Sequence, residues 1–328
     1  MKNMPGFTTH YIFGMKAYND MPFTPLKHTI AKYRWLYQLG LQGPDMFFYN
    51  IPILRHRDYR NVGSYMHEHK VNAFFECCLR RIGTIRSRQQ QEEAISYLAG
   101  FINHYIADSI CHPYVYGRIG YPVDAPTSMH HGMHAHLENE LDAILLWKYK
   151  KKKPSEFNQT ATICLNGQEI QFISHFLASC INETYYPITY RNNFQVTPAM
   201  VHRSIWALRF GCRTLSDKNG KKKFGIAQVE SIFVNHPVAS AKMVTDSVTD
   251  YRSSCNLNHE AWGNPWDPTR VSTASFVDLF HETLDKCSRV YALLNSAVTD
   301  NMPLDKQDLS PLLAELGNES YHSGLPVE

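Results

Sequence analysis

The sequence predicts an all-α fold, a single compact bundle of many helices. Apolar residues recur every three or four positions through most segments of the chain, which is the period of an amphipathic helix. Thr-Pro pairs begin two of these segments, at Thr24 and Thr197, where threonine caps a helix and proline occupies its first turn. The apolar share of 44% and the charged share of 19% are those of a globular protein.

The residue pattern in the first part of the chain predicts two helices joined by a turn. The apolar pattern at 24–40 ends at a glycine, and 43–45, Gly-Pro-Asp, is typical of a turn. A second helix is expected over about 64–82, stopped by the next glycine. His67 falls on the same face of that helix as Phe74, so its imidazole is expected to point inward.

A third helix, over about 91–111, is expected to be buried on all sides. One flank carries isoleucine and leucine, and another carries His104 and Asp108. Pro113 is expected to close this helix and to hold His112 outside the α-helical conformation.

The middle of the chain predicts a loop at 117–128 and then another helix. The apolar stripe of that helix is expected to consist of Met133, Leu137, Leu141, Ile144 and Leu145, beside His134 and Glu138. The segment 161–170 is either a short hairpin or a loop.

Helices are also expected near 170–184, 197–213 and 275–297. No linker is evident, so residues 1–328 are expected to form one domain. Within it we expect a metal-ligand half at 1–150, supporting helices at 155–300 and a loose tail at 301–328.

Charge, cysteine content and hydropathy limit the classes of protein to which this sequence can belong. A net charge of +3 is too small to indicate nucleic acid binding. The runs of lysine at 150–153 and 221–223 are expected to be solvated loops, the alternative being attraction to anionic lipid head groups. The eight cysteines form no CxxC pair and indicate a reducing compartment. No secretory signal and no apolar run of transmembrane length is visible, so a cytoplasmic location is expected.

Two rows of metal-binding side chains stand at helical spacing. His104, Asp108 and His112 form one row, and His134, Glu138 and Asp142 form the other. Residues four apart lie one turn from each other on one helix face. Because three ionisable groups on an interior face are costly without a cation, and because imidazole with carboxylate suits zinc, the rows predict a zinc site.

Further ligands precede these rows, in the sequence Thr8-Thr9-His10, in Gly43-Pro44-Asp45 and at His67. The full order of motifs, ending in His-x3-Asp, His-Pro and His-x3-Glu-Asn-x2-Asp, resembles the bacterial zinc-dependent phospholipase C family. That family includes the phosphatidylcholine-preferring enzyme and the clostridial alpha-toxin. The resemblance is strongest over residues 4–146. It implies an all-α fold with a trinuclear zinc site, related to the S1/P1 nucleases.

The resemblance implies roles for individual residues. Asp45 matches a zinc ligand that has also been proposed as the general base. His69 is an alternative to His67, and His136 with Glu140 is an alternative to His134 with Glu138. The implied ligands of two or three zinc ions are His10, Asp45, His67, His104, Asp108, His112, His134 and Glu138.

This sequence departs from the family pattern at three places. One is spacing: the interval from Asp108 to His112 is shorter than in the classical enzymes, and the following loop to His134 is longer. In the secreted enzymes the mature N-terminal amine and carbonyl hold one zinc, whereas three residues precede Met4-Pro5 here. The aromatic residue of the choline cage that should follow Asp45 is Met46, with Phe47, Phe48 and Tyr49 close by.

The function expected from this resemblance is phospholipase C-like hydrolysis of a phospholipid or another phosphodiester. The alternatives are an S1/P1-type nuclease and a non-catalytic zinc-stabilised protein that binds lipid or a partner. In the C-terminal half, Trp262 is expected to form a structural corner, the alternatives being a pocket wall and an interfacial anchor.

Overall fold

A computed structural model describes residues 6–49, 62–191, 195–217, 219–233, 240–246, 248 and 250–328. The all-α prediction is confirmed: within the described residues the only sheet is a two-stranded antiparallel hairpin. The helices are α1 Phe7–Asp20, α2 Pro25–Lys32, α3 Arg34–Gly40, α4 Val62–Met66, α5 Val71–Thr84, α6 Arg88–Arg118, α7 Ser128–Lys150, α8 Gly167–Arg191, α9 Pro198–Leu215, α10 Lys221–Phe233, α11 Tyr251–Ser254, α12 Phe276–Thr299 and α13 Ser310–Leu316. The strands are β1 Trp262–Asn264 and β2 Asp267–Ser272.

Helix α6 is the centre of the fold. It is buried over most of its length and packs against α1, α2, α3 and α12. The expectation of a helix buried on all sides is therefore met. None of the helices in the described part of the chain is both long and apolar enough to cross a bilayer.

The first two predicted helices are each broken in the structure. Helix α2 is capped by the Thr24 hydroxyl as expected, but the chain leaves helical geometry at Tyr33 (φ −114°, ψ 43°) before α3 begins. The segment 64–82 is interrupted between α4 and α5, where Lys70 has a left-handed φ of 50°. His67 thus lies in a turn, not on a helix, although its side chain is buried as expected.

The prediction that Pro113 ends α6 is wrong, because the helix continues to Arg118. Proline removes one backbone N–H from the helix. Residues on both sides of it are buried, including Cys111, His112 and Tyr114, so packing holds the helical path through Pro113. His112 therefore has helical geometry and stays on the face of α6 that carries Asp108.

The predicted stripe of α7 is wrong at one position. Met133 is 40% exposed, whereas Leu141, Ile144 and Leu145 are buried. Segment 161–170 contains no hairpin: a 3₁₀ turn, Gln159–Thr162, leads through a loop into α8. Helices α1, α10, α11 and α13 and the β1–β2 hairpin were not predicted.

The loose C-terminal tail is also a wrong prediction. Tyr321 is 1% exposed, and its N–H donates to the His67 carbonyl at 3.0 Å. The Lys70 N–H donates to the carbonyl of Glu328 at 2.9 Å. The tail contains the short helix α13, and backbone hydrogen bonds to the turn between α4 and α5 hold its last residues against the bundle.

Candidate metal centre

Five of the predicted ligands converge around Asp108 in the middle of α6. The His10 Nε2 atom lies 3.1 Å from Asp108 Oδ1, and His104 Nε2 lies 3.2 Å from Asp108 Oδ2. Asp45 lies between two imidazoles, 3.2 Å from His67 Nε2 and 3.6 Å from His104 Nε2. All of these side chains are buried.

A second group of three ligands adjoins the first. The Glu138 Oε1 atom lies 2.9 Å from His134 Nε2 and 3.3 Å from His112 Nε2. His112 connects the two groups, since its Nδ1 is 3.6 Å from Asp108 Oδ2. The structure thus brings all eight predicted ligands together. Within the described residues, two sets have ligand atoms close enough to share an ion: His10, Asp45, His104 and Asp108, and His112, His134 and Glu138.

The backbone fixes the orientation of three of the imidazoles. The His67 Nδ1 atom lies 2.6 Å from the Gly63 carbonyl oxygen. The corresponding distances are 3.1 Å from His104 Nδ1 to the Leu41 carbonyl and 2.8 Å from His112 Nδ1 to the Tyr321 carbonyl. A carbonyl oxygen only accepts, so Nδ1 is the protonated nitrogen in each bond. In the neutral rings the lone pair is then on Nε2, which faces the carboxylates. This is the usual arrangement of a metal-binding histidine.

The buried polar atoms of the cluster fit a cation. The atoms His104 Nε2, Asp108 Oδ2, both Asp45 carboxylate oxygens and Glu138 Oε2 are buried without a hydrogen bond. A lone pair facing a carboxylate oxygen at about 3 Å is unfavourable unless a positive charge lies between them. The donor set of imidazole nitrogen and carboxylate oxygen suits zinc.

The electrostatics of the cluster lower the pKa of the Asp108 and Glu138 carboxyl groups, mainly through the neighbouring imidazoles and against the effect of burial. Burial alone would raise the pKa of Asp108, but His112, His104 and His10 hold it well below its usual value. Burial opposes protonation of His112, yet Asp108 and Glu138 raise its pKa to about 10. Burial dominates at His104 and lowers its pKa. His112 thus carries a compensating proton, which a bound cation would displace.

Two features outside the ligand set position His10 and His104. The Asp142 carboxylate accepts hydrogen bonds from the Thr8 and Thr9 N–H groups, at 3.2 and 2.7 Å, and so caps the start of α1 just before His10. Gly43 has a φ of 46°, and a Cβ there would lie 2.2 Å from the His104 ring. Only glycine lets the turn that carries Asp45 lie against that imidazole.

The alternative ligands point away from the cluster. His69 stacks on Tyr65, with ring centroids 4.0 Å apart. The His136 side chain is 47% exposed, and Glu140 accepts a hydrogen bond from the Ser254 hydroxyl. Residues 1–5, where the family pattern has its N-terminal zinc ligand, lie outside the described part of the chain.

A cleft opens beside the cluster and has an aromatic wall. Phe48, Tyr116, Tyr121 and Trp266 line it together with the Glu68 carboxylate, and it reaches Asp45, His67, His112 and His134. Met46, Phe47 and Trp262 are buried instead, and the Trp262 Nε1 donates to the Ala274 carbonyl at 2.9 Å. Trp262 is therefore the expected structural corner, and Phe48 and Trp266 face the cleft.

A family model described as zinc-dependent phospholipase C matches residues 9–189, which is more than half of the chain. The chain belongs to the zinc-dependent phospholipase C family. No curated protein and no solved structure matches it. All eight predicted ligands of this phospholipase C-family chain lie within the matched residues.

Sequence reasoning missed His322, which lies outside the residues matched by the zinc-dependent phospholipase C family. Its ring stacks on that of His67 with centroids 4.8 Å apart, and its Nδ1 is 3.3 Å from the Tyr116 hydroxyl. No motif surrounds His322. The tail brings it to the cleft through the backbone contact between Tyr321 and His67.

Proposed function

We propose that this protein is a zinc-dependent phosphodiester hydrolase that removes the head group of a phospholipid, as a phospholipase C does. The observation that supports this most strongly is the convergence of buried carboxylates on imidazole Nε2 atoms, with oxygens of Asp45, Asp108 and Glu138 that have no hydrogen bond. The residues that would hold two or three zinc ions are His10, Asp45, His67, His104, Asp108, His112, His134 and Glu138.

Bound zinc would supply positive charge for the phosphate and would make water more acidic. Asp45 has both carboxylate oxygens in the cluster and also borders the cleft, so it is placed to accept a proton from the attacking water. The oxygen of that water forms the new bond to phosphorus, and the bond from phosphorus to the diacylglycerol oxygen breaks. The departing oxygen takes a proton from solvent.

The lining of the cleft favours a cationic head group. Tyr116 and Trp266 pack edge to face with ring centroids 4.9 Å apart, and Tyr121 stacks near Trp266 at 6.0 Å. Aromatic faces attract quaternary ammonium groups, and the nearby Glu68 carboxylate adds negative charge. The same carboxylate would repel the backbone of a nucleic acid, so we place phospholipid ahead of single-stranded DNA as the substrate.

The proton-accepting role of Asp45 is tested by Asp45→Asn. We expect hydrolysis of a chromogenic phosphodiester to fall by about 100-fold or more, because the amide cannot accept the proton. Zinc per chain is measured on the same sample by elemental analysis, so that loss of metal is separated from loss of the base. Asp217→Asn, which alters a buried carboxylate outside the cluster, serves as the control. Full activity of a zinc-loaded Asp45→Asn protein would rule out this role.

The substrate is tested with the wild-type protein on phosphatidylcholine, phosphatidylglycerol and single-stranded DNA. The proposal expects release of phosphocholine at the highest rate. Cleavage of DNA alone would identify a nuclease. Zinc binding with no hydrolysis of any of the three would identify a non-catalytic zinc protein.

A further inference from the structure

A second cleft lies on another face of α1, apart from the metal centre. It has a volume of about 620 Å³ and lies between α1, the α2–α3 pair and the segment 152–162. Pockets that bind small molecules are typically about 300–1,000 Å³ in volume. His10 faces the metal cluster, whereas the next residue, Tyr11, lines this cleft.

One wall of the cleft is an apolar stripe of α1. Tyr11, Met15 and Tyr18 recur at helical spacing and are all half-buried. Phe157 extends this wall, with its ring centroid 5.1 Å from that of Tyr11. A continuous stripe of this kind suits one alkyl chain lying along the helix.

The wall next to this stripe carries an unsatisfied amide. Gln38 is only 7% exposed, and its Oε1 atom has no hydrogen-bond partner. Its Nε2 atom makes one weak contact, 3.4 Å from the Met15 sulfur. A buried carbonyl oxygen without a donor is unfavourable, so this position favours a ligand that carries a hydroxyl group.

Two positively charged side chains, Arg34 and Lys152, line the cleft. Neither Arg34 nor Lys152 has an ion-pair partner among the described residues, and the Arg34 guanidinium stacks on Trp35 at 4.1 Å. Among the described residues that line the cleft, the one carboxylate is Glu156, which accepts a hydrogen bond from the Lys153 N–H at 2.9 Å. Arg34 and Gln38 are one helical turn apart on the same face of α3, a separation of about 5–6 Å between Cβ atoms.

We propose that this cleft binds a single-chain lipid with an anionic head group and a neighbouring hydroxyl, of which lysophosphatidate is the simplest. The acyl chain lies along Tyr11, Met15 and Tyr18. The glycerol hydroxyl donates to Gln38 Oε1, and the phosphate pairs with Arg34 and Lys152. A fatty acid offers the chain and the anion but no hydroxyl, and monoacylglycerol offers the hydroxyl but no anion.

The experiment is calorimetric titration of the zinc-loaded protein with three short-chain probes below their micellar concentrations: lysophosphatidate, the fatty acid of the same length and the monoacylglycerol. We expect lysophosphatidate to bind about tenfold more tightly than either of the others. The double variant Arg34→Gln with Lys152→Gln should weaken the binding of lysophosphatidate by about tenfold, which is the usual effect of losing a charge-assisted hydrogen bond. Gln38→Leu should reduce its affinity to that of the fatty acid.

Two further variants locate the binding. Ala161→Trp places a large ring in the cleft and should abolish binding, whereas Arg252→Gln with Lys306→Gln, which changes the net charge equally outside the cleft, should leave it intact. Asp45→Asn should also bind normally, so failure of the proposed hydrolysis would not affect this result. Absence of binding, equal affinity for all three probes, or binding that survives Ala161→Trp would overturn the proposal.

Discussion

His134 and His136 are two positions apart on α7, yet their surroundings differ completely. His134 is 2% exposed and lies 2.9 Å from Glu138, whereas the His136 side chain is 47% exposed. Helical geometry places residues two apart on different faces, so only one of them can reach the cluster.

We therefore expect His134→Ala to weaken zinc binding by more than the roughly 10- to 100-fold typical of outer-shell partners. His136→Ala, the matched control, should bind zinc like the wild type. Competition with a chelating dye measures both. Equal zinc affinity in the two variants would contradict the assignment of His134 to the site.

The sequence was most informative for residues whose role follows from residues close to them along the chain. The rows through His104 and His134 are visible because helical spacing alone puts their members on one face. The structural role of Asp142, which caps a helix more than a hundred positions earlier in the chain, depends on tertiary contact and could not be predicted. The same holds for His322.

Helices α3 and α6 cross at a pair of glycines. A Cβ at Gly100 would lie 2.1 Å from the Tyr37 carbonyl oxygen, and one at Gly40 would lie 2.1 Å from the Tyr97 carbonyl oxygen. These neighbours are backbone atoms of buried helices, which cannot move aside independently. The crossing sets the distance between the helix that carries Asp108 and the turn that carries Asp45.

Gly100→Ala is expected to lower the free energy of unfolding by about 1–3 kcal/mol, the usual effect of overpacking, and to reduce phosphodiesterase activity. Gly225→Ala is the control: it lies in α10 with open space around it and should raise stability by about 0.5–1 kcal/mol. Urea unfolding of both variants checks this. If Gly100→Ala had the same free energy of unfolding as the wild type, the two helices would have room to separate.

Element types were more predictable than element boundaries. Apolar periodicity identified the helices around residues 91–111 and 275–297, since long amphipathic patterns are strong signals. The breaks at Tyr33 and before Lys70 lie inside continuous patterns, so periodicity could not reveal them. Pro113 is the opposite case. Proline normally ends a helix, but here the buried residues on both sides of it keep the chain helical.

At the scale of the whole molecule, the C-terminal segment completes the site. Its backbone bonds orient His112 through the Tyr321 carbonyl and fix the turn at His67, and His322 lines the cleft. A chain that ends at Gly317 should melt at a lower temperature and bind zinc more weakly, because His67 and His112 lose the backbone hydrogen bonds that hold them.

Thermal unfolding followed by circular dichroism, with zinc titration of the same samples, tests this prediction. The full-length His322→Ala variant is the control, because it removes the ring from the cleft and keeps the backbone bonds. It should melt close to the wild type. A truncated chain with the wild-type melting temperature and zinc affinity would restore the interpretation of this segment as a loose tail.

In the proposed site, eight side chains from separate parts of the chain surround a shared set of zinc ions. The most direct test is a crystal of the zinc-loaded protein, with anomalous difference maps recorded on both sides of the zinc absorption edge. We expect two or three zinc peaks among His10, Asp45, His67, His104, Asp108, His112, His134 and Glu138. No peak at these side chains, or zinc bound only elsewhere, would contradict it.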